Sequence, residues 1–193
     1  MKEDFLAMEQ DIGFRHHEEN VVLDDQLNVN ARSVVHIDWF HTYMQTGIFN
    51  YELGALIRFL NKSKPHRISI DMMREFVASY KPPRHFGAVS HLCNPNCISK
   101  DSVHFKCSAS EGLTLYPILA LFLNEVVLPL ETCVPQVTSF LALCDTIDLL
   151  CHVQEGLVTP DQLGESIAKH AALCQAAYGK LLWVYKHHVA AIH

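Results

Sequence analysis

At 193 residues the chain suits one large domain, or one domain with an arm, and its 49% hydrophobic residues supply a substantial core. A formal net charge of −6 excludes the broadly basic surface that a nonspecific nucleic-acid footprint requires, although its 13 His would carry it towards zero near pH 6. Seven Cys, an odd number, and an opening MKEDF without an apolar leader run argue against a disulfide framework and for an intracellular, nuclear or cytoplasmic setting.

Residues 1–20 read as a polar N-terminal arm. His16-His17-Glu18-Glu19 has metal-ligand residue types, but neighbours on a helix point apart, so a solvated arm is the simpler account. Residues 21–23 read as a strand ending at Asp24-Asp25. The turn Asn28-Val29-Asn30 and a second β-branched run, residues 34–37, complete a short β-hairpin or strand pair. Asp24 is then a turn Asp beside that hairpin.

At Asp38 the pattern changes from strand to helix. Residues 39–61 carry apolar side chains at Phe40, Tyr43, Met44, Ile48 and Tyr51, and predict one long helix with a buried face. Asp38 reads either as the N-cap of this helix or, with His41 three positions on, as a paired polar site. The apolar face widens from Leu53 to Leu60, and Glu52 within it reads either as a buried acid or, more simply, as a surface acid on the free face. Ser69 opens a second helix that stops before Lys81-Pro82-Pro83-Arg84, a stiff linker.

The loop-like stretch 85–107 holds the densest group of soft ligands. Zinc takes four tetrahedral N/S donors, often two from a tight turn and two from downstream. Cys93 and Cys97 around Asn94-Pro95-Asn96, with His104 and Cys107, are the candidate set; the alternative is a loop with free thiols.

From Ser108 the chain predicts three further helices. Ser108 and Glu111 form a capping box, and Pro117 predicts a kink. Residues 113–123 are the longest apolar run, too short for a membrane span of ~20 residues, and predict a core helix. A helix over 132–154 follows, closed by Gly156. Thr159-Pro160-Asp161-Gln162 then starts a last helix running close to His193, whose abrupt end suggests a truncated reading frame.

The string Asp38-Trp39-Phe40-His41 after a strand and before a long helix, with FKCSASEGLTLYPIL and WVYKHH downstream, resembles DNA transposases of the hAT and CACTA types and proteins derived from them. In those families a C/D-x-x-H string follows the last strand of an RNase H-like core and an all-helical insertion domain comes next. The resemblance makes Asp24, Asp38 and His41 the catalytic candidates, with Asp24 at a strand end where such enzymes hold a divalent metal ion. It implies DNA as a partner of a full-length ancestor. Phosphoryl transfer needs two or three clustered carboxylates holding metal ions. This chain offers Asp24 or Asp25 at most, so no activity is expected from it alone.

The expected fold is therefore mainly α, a bundle of about five helices behind a short N-terminal β-hairpin. Its parts are the arm 1–20 and one domain 21–193, comprising a strand remnant 21–38, a first helical pair 39–80, a Cys/His-rich loop 81–107 and a three-helix part 108–193. Two functions compete: a catalytically incomplete transposase-like remnant, and a helical protein-interaction module with a zinc clip, binding a protein partner or itself and no membrane. A small-molecule enzyme lacks any phosphate-binding Gly loop or nucleophile motif.

Overall fold

The computed structural model describes residues 38–81, 87–99, 102–182, 186, 187 and 190. The chain divides into two units, Met1–Asp38 and Trp39–His193. The expected hairpin, with Asp24, and the His16–Glu19 run lie outside the described residues.

The second unit is a helical bundle. A short helix α1 (Trp39–Tyr43) leads into α2 (Ile48–Lys62), α3 (Ile70–Ser79), α4 (Ala109–Phe122), α5 (Val134–His152) and α6 (Pro160–Tyr178). Five of these are ten residues or longer, as the periodicity of the sequence predicts. Among the described residues extended pairing is limited to an isolated antiparallel bridge between Ile98 and Phe105.

The helix expected over 39–61 is broken in two. Thr46 takes the left-handed conformation (φ 49°), and a Cβ on Gly47 would come within 2.5 Å of the Thr42 and Tyr43 carbonyl oxygens. The chain turns tightly there, and α2 restarts with the Asn50 side chain accepting a hydrogen bond from the Gly47 amide at 3.1 Å. α2 is the central helix. Ile48, Phe49, Leu53, Leu56, Ile57 and Leu60 are buried, and Phe49 packs on Phe140 of α5 with ring centroids 5.7 Å apart.

Three helix starts match the sequence closely because their signals are local. Ser69 accepts from the Met72 amide. Ser108 and Glu111, and Thr159 and Gln162, form reciprocal capping boxes. The Ser108 hydroxyl and then its amide, both donating to Glu111 Oε2, hold that carboxyl below its ordinary value, so capping accounts for Glu111. α6 ends earlier than expected: Gly179 (φ 61°) stops it after Tyr178, and a 3-10 turn, Gly179–Leu182, follows.

Pro117 sits inside α4, which continues through a wide π-turn (Leu123–Val127) and a 3-10 turn (Leu128–Leu130). The helical stretch is thus twice the length of the apolar run in the sequence. Ala109–Leu130 and Val134–Glu155, each of 22 residues, are long and apolar enough to cross a membrane by length and composition. Core helices meet the same criterion, and both contribute to the core here: Leu115, Leu119, Phe122, Phe140, Leu143 and Ile147 are all buried.

Candidate functional site

The two faces of α2 hold different things. On one face Asn50, Gly54 and Arg58 lie at successive i+4 positions and together seat the Cys/His-rich loop. Asn50 is fully buried; its Nδ2 donates to the carbonyls of Phe105 (3.0 Å) and Cys107 (3.3 Å), and its own carbonyl accepts from the Phe105 amide (2.8 Å). Gly54 lets the Val103 carbonyl approach where a Cβ would be. Arg58 Nη2 donates to the carbonyls of Ser99 (3.1 Å) and Ser102 (2.7 Å).

This arrangement explains why the loop's donors do not gather. Cys93 and Cys97 are buried in the main hydrophobic core, Cys107 meets Asn50, and His104 packs edge-on against Tyr51. Burial pushes the Cys93 and Cys107 thiols up to about 12 and keeps the His104 ring below its ordinary value. Among the described residues no three of Cys93, Cys97, His104 and Cys107 come within 4.8 Å of one another; backbone hydrogen bonds and thiol burial hold the loop. Asp38 and His41 are exposed, Asp38 immediately before α1 and His41 on it. No three carboxylates converge among the described residues.

On the other face of α2 lies the acid that the sequence leaves open between surface and core. Glu52 is fully buried. Its Oε1 accepts from Ser139 Oγ of α5 at 2.5 Å, and its Oε2 lies 2.7 Å from His170 Nε2 of α6. One carboxylate therefore joins three helices. Cys174, one turn beyond His170, has its Sγ 3.8 Å from Nε2 of His187, and the His170 and His187 rings stack with centroids 6.2 Å apart. His170, Cys174 and His187 are each at most 3% exposed.

The surroundings are acids kept neutral. Burial first, and then the Glu52 charge, push the Cys174 thiol up to about 12, against a smaller opposing effect of the Ser139 hydroxyl. Burial and Glu52 likewise raise the Cys144 thiol and the Tyr178 phenol. Among the described residues the Tyr178 hydroxyl has no hydrogen-bond partner, and the residue is only 6% exposed. Its signal in the sequence is the spacing His170, Cys174, Tyr178, an i, i+4, i+8 stripe and the buried face of α6.

Beside this cluster a groove of roughly 300 Å³ is lined by Ala55, Arg58, Phe59, Lys62, Val103, Tyr178 and Leu182. It is apolar, and Phe59, 42% exposed, stands edge-on to Tyr178 with ring centroids 5.7 Å apart.

Compared with family models, with curated proteins and with solved structures, the chain matches none.

Proposed function

We propose that this chain is a transposase-like remnant: the end of an RNase H-like core joined to a helical insertion-type region, without phosphoryl-transfer chemistry of its own. The observation that supports it is the Asp38-x-x-His41 string, exposed at the point where a helical bundle begins. Two-metal phosphoryl transfer requires carboxylates that share ions ~3.5–4 Å apart. The one deeply buried carboxylate among the described residues, Glu52, is engaged by Ser139 and His170. The purified chain, given Mg²⁺ or Mn²⁺ and linear or supercoiled DNA, is expected to leave the DNA uncut. Cleavage that disappears in Asp24→Ala or Asp38→Ala would contradict the absence of chemistry.

A second reading is a helical interaction module, favoured by the apolar groove between α2 and the end of α6. Its apolar lining, with the exposed Lys62 among it, suits the apolar face of an amphipathic partner helix that carries an acidic residue beside that face. A synthetic peptide of that kind, followed by fluorescence anisotropy, is expected to bind the chain and to lose affinity at least tenfold to Phe59→Glu. Equal binding by Phe59→Glu would remove the groove from the reading.

A further inference from the structure

We infer that Glu52, Cys174 and His187 form a buried zinc site that binds the C-terminal segment to the core. One donor atom from each of the three lies within 4.8 Å of the others, the only such group of three or more among the described residues. They come from α2, α6 and the segment beyond Leu182, so the fold assembles the group and no local motif does.

Geometry, charge and the surrounding hydrogen bonds agree. Tetrahedral zinc, with Zn–S ~2.3 Å and Zn–N ~2.0 Å, sets its sulfur and nitrogen ligands ~3.5 Å apart. Cys174 Sγ and His187 Nε2 stand 3.8 Å apart and need little movement to share an ion. A thiolate, a carboxylate and a neutral imidazole, with a water in the fourth tetrahedral position, sum with Zn²⁺ to zero charge, which suits a site whose three side chains are at most 3% exposed. The mixed S/N/O set excludes Mg²⁺ and Ca²⁺, which take oxygen ligands.

Ligating carboxylates are held by outer hydrogen bonds, and Glu52 has two such partners in place, Ser139 and His170. Each carboxylate oxygen keeps a lone pair for the ion. The neighbouring Lys186 fixes the segment that carries His187: its Nζ donates to the carbonyls of His41 (2.8 Å) and Gln45 (2.7 Å) where α1 ends. As the Zn–S bond forms, the Cys174 thiol releases its proton to solvent.

The full chain, unfolded and refolded with excess Zn²⁺ and then dialysed, is expected to retain about one zinc per chain. Its thermal midpoint should rise ~5–10 °C over the same protein in EDTA. With Co²⁺ in place of zinc, a sulfur-to-cobalt charge-transfer band is expected. Cys174→Ser and His187→Phe should each fall below about a tenth of an equivalent of zinc, with the cobalt band absent in Cys174→Ser. The Cys93→Ser/Cys97→Ser protein should load like the parent. Should the parent retain under about a tenth of an equivalent, or Cys174→Ser load fully, or loading be lost with Cys93 and Cys97, the site is refuted. Circular dichroism of each variant in EDTA separates lost zinc from lost fold.

Discussion

Gly54→Ala is expected to be among the most damaging single substitutions in this protein, costing ~3 kcal/mol or more of folding stability. A Cβ at position 54 would fall 1.6 Å from the Val103 carbonyl oxygen and 2.7 Å from its carbon. Both are backbone atoms, so no side-chain rotation relieves the clash. Helix and loop must separate, which weakens the Asn50 and Arg58 hydrogen bonds on either side of the contact. Intrinsic helix propensity would predict the opposite sign. Gly164, inside α6 with nothing within 4 Å of its Cβ position, provides the contrast: Gly164→Ala should stabilise by ~0.5–1 kcal/mol. Urea denaturation of the two variants reads both. Native-state alkylation reads the mechanism, since the Cys107 thiol, raised to about 12 by burial, should become faster to alkylate in Gly54→Ala. Equal stability of parent and Gly54→Ala would show that the loop does not seat on α2.

Glu52→Ala is expected to cost ~3–5 kcal/mol, measured without metal. The loss is of two kinds. The variant leaves the His170 ring and the Ser139 hydroxyl buried without their acceptor, and it opens a void between α2, α5 and α6. Replacing Glu52 and His170 together by Leu should cost far less than Glu52→Ala, because a buried polar pair exchanged for apolar groups of similar volume is close to neutral. A fall of under ~1 kcal/mol in Glu52→Ala would mean that the carboxylate reaches water, as a surface acid would.

The bundle was legible because its signals are short-range. The capping boxes at Ser108 and Thr159 act over three residues, and the apolar stripes of α2 and α5 act over a few turns. The break before α2 was not, because it depends on left-handed backbone at Thr46, a residue type that rarely adopts it, backed by a glycine. Gly179 was a helix stop hidden within an apolar pattern that continued past it. The candidate site was harder still. Glu52 meets Ser139 and His170 across 87 and 118 residues, and the burial of a carboxylate is decided by partners that no local window contains. The density of Cys and His in 85–107 pointed to metal, yet Cys93 and Cys97 serve the core and the donors that do converge come from elements far apart in the chain. The D-x-x-H string gave position alone: its exposure places Asp38 and His41 at the surface.

The central claim is that Glu52 is a buried tie between helices. It is tested most directly by a double-mutant cycle: urea denaturation in EDTA of the parent, Glu52→Leu, His170→Leu and the double variant. A coupling energy of roughly 2–3 kcal/mol between the two positions is expected. Additive effects within ~0.5 kcal/mol would show that carboxylate and imidazole do not meet in the folded protein and would contradict the claim.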